Sequence, residues 1–436
     1  MSSMKNAEMN RDMQEGMLRV NSLVYEFPPQ LSVSTRRHRV TNYFQRNTYG
    51  PGETMVMDSQ TGSTFIYGPE SYFTFSIQTA GTDGKFGSGS CLNLINVVRV
   101  KTRGGQELNR IENFNVLASK YAKWTNEDSW LNSEGTIMGF KAGADSTLQE
   151  VKTALKTQFT IPLKYLAPIF EQTKLLPPQL CEGLRIELEL EKSATAFIGA
   201  GVTTYTITQP QILFDATTIA DAFTRRIGEI SATQGLNIMY SNFYSNQVSG
   251  SAGQTSFNYD VKKAASKCMR LWVVSRDIAN INLNSADSIG SLPFDYTSMS
   301  THIGADYIPN VPIRISGYVA SVANNANPDN TRLVSEAYYH VLSAVCNNEH
   351  PKYPSVPLKN ISSTEAGNFD SILVFSYNKS TLDNISGYDV NNSRALIVDL
   401  EMDSIVNGDT TSRRIDNWME HLRNVNIFPN QSVISD

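Results

Sequence analysis

Charge is scarce in this chain of 436 residues: Asp, Glu, Lys and Arg supply 18% of it, against roughly 25% in an ordinary soluble domain. A surface short of Lys and Glu is weakly protected against association, so much of it is neutral, polar and suited to contact with other protein. A basic surplus is also missing, with 37 Lys and Arg against 42 Asp and Glu. That argues against a protein whose main task is coating nucleic acid, because phosphate neutralisation needs excess cations. No run approaches the roughly 20 apolar residues of a membrane-spanning helix, and the N-terminus lacks the apolar core of a signal peptide. The expectation is a chain made in the cytosol, with neither leader nor transmembrane segment.

Cysteine and histidine are equally thin. Cys91, Cys181, Cys268 and Cys346 stand far apart, without the paired spacing of zinc or redox sites, and read as small buried hydrophobes. The five His, at 38, 302, 340, 350 and 421, form no i, i+4 or His-x-His pair, so no metal is expected. Neither Gly-x-Ser-x-Gly nor Gly-x-x-x-x-Gly-Lys occurs; the nearest approach, at Gly84-Lys85, has Thr79 where the first Gly belongs. These gaps predict no enzyme, no cofactor and no small-molecule substrate. Glu187 with Glu189, and Asp399 with Glu401, are the paired carboxylates to test as a glycosidase couple. Residues two apart on one strand are ordinary solvent-side neighbours, however. A carbohydrate-binding or glycan-cleaving β-sandwich is the alternative function. It needs exposed aromatic platforms, and the four Trp, at 124, 130, 272 and 418, are scattered.

What is present is mostly β. Residues 184–191 alternate strictly, with Leu184, Ile186, Leu188 and Leu190 on one face and Arg185, Glu187, Glu189 and Glu191 on the other. Similar runs recur at 72–78, 92–101, 203–208, 210–214, 236–243, 255–261, 269–275, 313–322, 337–345, 371–377 and 395–402, separated by turn-rich pieces such as 80–90 and 323–330. Strands this numerous between Gly, Asn and Pro turns predict sandwiches or barrels. Helical spacing is confined to 112–124, 147–156, 163–172, 217–227 and 415–423. The segment Ala216 to Ser231 separates one set of strands from the next. The chain therefore divides into an arm at 1–30, a first unit at 31–222 and a second at 223–436.

Two further segments stand out. Met9, Met13, Met17 and Val20 recur at helical spacing, an amphipathic arm whose flexible thioethers suit docking on a partner. Between Phe27 and Gly52 no carboxylate occurs, while Arg36, Arg37, Arg39 and Arg46 do, interleaved with Tyr43, Phe44 and Tyr49. Such a strip can hold a nucleic-acid backbone or anionic lipid heads. It can equally pair with carboxylates of a neighbouring chain or lie solvated along a strand.

Particular motifs go further. Residues 160–190 hold an Ile161-Pro162-Leu163 turn, a Leu176-Pro177-Pro178 step and the Gly183-Leu184-Arg185-Ile186-Glu187-Leu188 strand. Tyr307-Ile308-Pro309-Asn310-Val311-Pro312 precedes Glu336-Ala337-Tyr338; Asn392-Ser393-Arg394-Ala395-Leu396 precedes Phe428-Pro429-Asn430; and 105–112 leads into the first helical segment. In order and together, these resemble major capsid proteins of the double jelly-roll lineage, those of Polinton-like viruses, adintoviruses and virophages. The resemblance implies an all-β chain of two consecutive eight-stranded jelly rolls with a few short helices and the N-terminal arm. It also implies a structural role: pseudo-hexagonal homotrimers tiling an icosahedral virion shell around a DNA genome. The partners implied are further copies of the chain, penton and minor capsid proteins, and weak genome or inner-membrane contact, with the strip from Arg36 to Arg46 on the inner side.

Overall fold

The computed structural model describes residues 36–87, 89–140, 150–283, 285–292, 296–314, 335–345, 356, 370–377, 387–391, 394–401, 412–428 and 431–435. Met9, Met13, Met17 and Val20 of the arm lie outside the described residues, as does most of the strand expected at 313–322.

Residues 36–218 build two main sheets. One joins β1 (Arg36–Tyr43), β12 (Val202–Thr218), β4 (Phe65–Gly81) and β9 (Thr157–Pro162) in that order, with the short β2 (Thr48–Tyr49) also on β12. The other joins β3 (Thr54–Asp58), β10 (Arg185–Leu190), β6 (Ile95–Lys101) and β7 (Glu107–Ile111). A small extra sheet holds β11 (Phe197–Ile198), β5 (Gly84–Phe86) and β8 (Glu150–Val151). Residues 236–435 build a second pair. The first of these runs β13 (Leu236–Gly250), β21 (Arg413–Phe428), β15 (Ala265–Asp277), β18 (Leu373–Ser376), with β19 (Tyr388–Val390) on β15 and β22 (Gln431–Ser435) on β21. Its mate runs β14 (Ser256–Val261), β20 (Leu396–Glu401), β16 (Ser298–Ile303), β17 (Asp306–Arg314).

With only the eight main strands of each half counted in chain order, both halves give a sheet ordered 1-8-3-6 facing a sheet ordered 2-7-4-5. The pairings are antiparallel. A chain that keeps switching between two antiparallel sheets in this order is a jelly roll, and here it occurs twice. Helices punctuate the two rolls at matching places. The helix α1 (Phe114–Thr125) follows the fifth strand of roll one and α3 (Ser335–Val345) the fifth of roll two, while α2 (Asp221–Thr233) lies between the rolls.

The alternation read from the sequence fixes which face of each strand is inward. Ile186, Leu188 and Leu190 of β10 are buried, as are Phe73, Phe75 and Ile77 of β4 and Ile212 and Phe214 of β12. Phe73 stacks on Phe75 with centroids 4.9 Å apart. The buried side chains of both rolls belong to one connected cluster.

Several local expectations fail for stated reasons. Residues 415–423 form part of β21, not a helix: the strand is paired on both sides, with β13 and β15, and buried on both faces, so its sequence shows no clean alternation. Residues 337–345 form α3, not a strand, because Ala337, Val341 and Ala344 recur at helical period and are the buried ones. Within the helix expected at 147–156, the described residues 150–156 form instead the short strand Glu150–Val151 followed by a bend. Segment 163–172 splits into single turns, Leu163–Leu166 and Pro168–Glu171, since Pro168 lacks the N–H needed to continue the first. Pro178 opens the turn Pro178–Cys181, the position where its fixed φ is tolerated.

Candidate functional site

The most elaborate constellation of polar side chains lies where roll one meets roll two. Strand β7 runs beside the β13 edge, and its carbonyls accept from roll two. The Tyr240 hydroxyl donates to Leu108 O over 2.8 Å, Arg423 Nη1 to Leu108 O over 2.8 Å and to Glu107 O over 3.0 Å, and Trp418 Nε1 to Glu112 O over 2.9 Å. Asn109 Nδ2 donates to Asn242 Oδ1 at 2.9 Å. Helix α1 covers the sheet face that carries Trp272 and Trp418, placing the Tyr121 ring 5.1 Å from Trp272 and 5.9 Å from Phe243.

Charged groups are sealed into the same seam. Lys120 Nζ and Lys123 Nζ of α1 lie 2.8 and 2.9 Å from the two oxygens of Asp370, and Trp124 Nε1 donates to Asp370 O over 2.9 Å. Burial pulls the Lys120 ammonium below its ordinary pKa, against the opposing pull of Asp370. Burial alone would raise Asp370, but Lys120 and Lys123 together hold its carboxyl below the usual range. Deeper in roll two, Arg276 Nε and Arg414 Nε lie 2.7 and 2.9 Å from the oxygens of Asp416, and Arg414 Nη2 donates to Asn113 Oδ1 over 2.7 Å. Asn113 sits in the left-handed region, at φ 48°, just before α1. Its side chain makes no cap bond to the helix and serves the seam instead. A cleft of about 390 Å³ opens beside the joint, lined among others by Arg110, Glu112, Lys263 and Arg423. The chemistry of this region is adhesive, with donors and acceptors matched between the rolls.

Among the described residues, the corresponding sheet of roll one carries no such cover. The face of β1, β12 and β4 opposite the core bears Arg37, Arg39, Thr41 and Tyr43, beside Asp215, Leu213 and Tyr72. This places three of the four arginines of the basic strip on β1. Arg36 is exposed, and Arg37 Nε lies 2.8 Å from Asp215 Oδ1 while its other end reaches Glu70. Arg39 sits 5.7 Å over the Tyr72 ring. Arg46 lies beyond β1, 3.1 Å from Glu53 Oε1 and 4.5 Å over the Tyr49 ring. The glycosidase couple also resolves into ion pairs: Lys101 Nζ lies 2.8 Å from Glu187, and Arg99 Nη2 lies 3.2 Å from Glu189. All four Trp are buried, so none offers a sugar platform.

No family model matches the chain, and no curated protein matches it by sequence. Solved structures do match it. The PBCV-1 capsid protein VP54, as fitted into a reconstruction of the virophage Sputnik, superposes with a TM-score of 0.60 over 95% of this chain and 99% of that one, at 9% identity. The Faustovirus major capsid protein gives 0.56 over 92% of each chain at 8% identity, and the Sputnik virophage structure gives 0.55 over 94% and 92% at 10% identity. This chain has the double jelly-roll fold of viral major capsid proteins. Within that double jelly roll, the seam between the rolls is what the sequence reading missed. Its signal was present in Arg414, Asp416, Glu420 and His421, polar residues crowded into a segment that also holds Ile415 and Trp418. Such crowding marks a strand whose second face meets protein.

Proposed function

We propose that this chain is a major capsid protein, a structural subunit whose work is geometric. Three copies join into a pseudo-hexagonal capsomer of six jelly rolls, and capsomers tile an icosahedral shell around a DNA genome in the virion. The division between rolls falls in α2, close to residues 222 and 223, and the Met-rich arm at 1–30 reaches a neighbouring subunit or a penton or minor capsid protein.

One observation carries this reading. The same strand order occurs twice, and the fifth-strand side of roll one is docked on the first-strand side of roll two. A contact of that kind is heterologous, head to tail, and repetition of a heterologous contact closes into a ring when the rotation permits. Each chain then has one unused donor side and one unused acceptor side. The capsid-protein fold and the shortage of surface charge support the same conclusion.

Size is the test. The purified full chain, measured by light scattering after gel filtration and by negative-stain microscopy, is expected at three times its 48.4 kDa mass, as hexagonal particles or shells. A chain that stays monomeric at high micromolar concentration overturns the proposal.

A further inference from the structure

We infer that helix α2 is the seat of the chain's own N-terminal arm in the unassembled subunit, with the stripe of Met9, Met13, Met17 and Val20 laid along it. The inference rests on the reading of that stripe as a docking face, and it assigns the docking to one surface of this chain.

Helix α2 is poorly covered for its length. It has 13 residues, and a helix so short is marginal in water unless packing holds it. Yet among its described side chains Ser231 alone is buried, donating to Ile427 O over 3.0 Å. Ser231 ends a side of small residues, Thr224, Gly228 and Ser231, at i, i+4 and i+7. Even that side is loosely met, since a Cβ at Gly228 would find no neighbouring atom within 4 Å. The larger apolar residues stand one position earlier, and Phe223, Ile227 and Ile230 make a second stripe at the same spacing. Phe223 and Ile227 are half-buried and Ile230 is 40% exposed. A helix that turns its small side to the sheet and its apolar side away from it is built for a further partner.

The root of the arm stands beside this helix. Arg36, the first residue of β1, pairs with Thr218, the last of β12, and α2 opens just beyond, at Asp221. The pairing is antiparallel, so the arm enters β1 where β12 leaves for α2. Extended, the stretch from Val24 to Arg36 covers up to roughly 40 Å, whereas α2 is about 20 Å long. The stripe therefore reaches all of α2 without leaving its own chain. The arm lies outside the described residues, and its pattern is that of the sequence: Met9, Met13, Met17, Val20 and Val24 keep helical spacing, while Glu8, Arg11, Asp12, Glu15 and Arg19 fall on other faces. Two uncharged stripes of one period fit as a helix pair, and flexible thioethers adapt to the ring of Phe223 and the branched Ile227 and Ile230. A segment tethered so close acts at an effective concentration of about a millimolar, so before assembly its own chain outcompetes a neighbour. Seated there, the stripe is withheld from other subunits until contacts in the shell displace it.

The test uses the full chain in dilute solution. Trypsin cleavage after Arg11 and Arg19, followed by mass spectrometry, reads the unseated fraction of the arm, because proteolysis tracks the open population. Ile230→Asp on the helix and Met13→Asp/Met17→Asp on the arm are each expected to speed that cleavage roughly 10-fold or more, with far-UV melts that match the wild type. Ile230→Cys, combined in turn with Met9→Cys, Met13→Cys or Met17→Cys and oxidised, is expected to give a disulfide within one chain in at least one of the three registers. Equal cleavage in wild type and variants overturns the seat, as does acceleration in one variant alone, which places the arm on another surface. A missing disulfide in every register, or disulfides that join two chains and so give α2 to a neighbour's arm, overturns it too. None of these outcomes alters the oligomer mass, so the capsid reading stands or falls separately by size. A monomeric wild type whose arm is protected on α2 would overturn that reading and leave this one standing.

Discussion

The two sheets ordered 1-8-3-6 have one topology and opposite outer faces. In roll one that face is Arg37, Arg39, Thr41, Leu213, Tyr72 and Ser76, polar or half-exposed. In roll two it is Trp272, Trp418, Asp416 and Glu420, all buried, with Trp272 against Tyr121 and Trp418 against Glu112 of roll one. Topology therefore does not decide how a sheet face is composed; the neighbour does. A covered face still cannot be purely apolar here, because β7 and the start of α1 bring unpaired backbone carbonyls and the amide of Asn113, and each buried acceptor needs a donor. Trp, Arg and Tyr supply apolar area and donors together, which is why they concentrate in the seam.

The sharpest way to break the comparison is to truncate an outward aromatic on the third strand of each roll. Trp272→Ala removes a fully buried ring and the Nε1 that donates to Glu420 Oε2 over 3.0 Å. The cavity plus the weakened support of a buried carboxylate is expected to cost about 5 kcal/mol. Tyr72→Ala on the open face is expected to stay within about 1 kcal/mol in the isolated chain. Urea titration followed by tryptophan fluorescence and circular dichroism measures both. Equal losses would mean that the two faces are covered alike.

Next in size is Asp370→Asn, which leaves Lys120 and Lys123 sharing a neutral amide. Breaking a buried ionic cluster on one side is expected to cost about 3 kcal/mol. The same residue gives the seam an acid limit. Because the folded carboxyl is held below its unfolded value, its contribution is complete above about pH 5 and is lost as pH falls through the lowered folded pKa. Stability measured from pH 6 to pH 3 should fall less steeply in Asp370→Asn than in the wild type. A parallel fall in both proteins would remove Asp370 from the account.

Legibility from sequence follows the same division. Strands with one face to the core and one to solvent, such as β10, announced themselves by period-two alternation, and the double jelly roll was reachable from those together with the motif resemblance. Where both faces are buried the period vanishes. Thus β21 read as a helix, and the seam it builds stayed hidden. Helix α3 was mistaken for a strand because Tyr338, Tyr339 and Val341 carry β-propensity, although Ala337, Val341 and Ala344 keep the helical spacing. Arg37 and Arg39, two apart on one strand, share a face. What covers the matching face of roll two comes from the other roll, far away in the chain, which no local pattern encodes.

A smaller effect tests the side chains that bridge the seam. Asn242→Ala removes the acceptor of Asn109 Nδ2, both residues being buried. The stranded amide is expected to cost about 1–3 kcal/mol, whereas Thr41→Ala on the open first strand of roll one should be nearly silent in the monomer. Chemical denaturation of the two single variants settles the matter, since a silent Asn242→Ala would mean that water replaces its partner without penalty.

The smallest expected effect lies on a face that both rolls leave to solvent. The Glu189 side chain retains 35% exposure beside Arg99 at 3.2 Å. Solvent screens such a pair and side-chain ordering offsets part of its attraction, so Glu189→Gln is expected to cost about 0.2–1 kcal/mol, shrinking further in high salt. The Lys101–Glu187 pair two residues away is less exposed, at 27% and 12%, and Glu187 is held below its ordinary pKa by Lys101 and Arg185 in spite of the burial that would raise it. Glu187→Gln should therefore cost more than Glu189→Gln and respond less to salt. Reversal of that order in salt-dependent denaturation would show that exposure, the variable that separates the two rolls' outer faces, does not govern ionic contributions on this sheet.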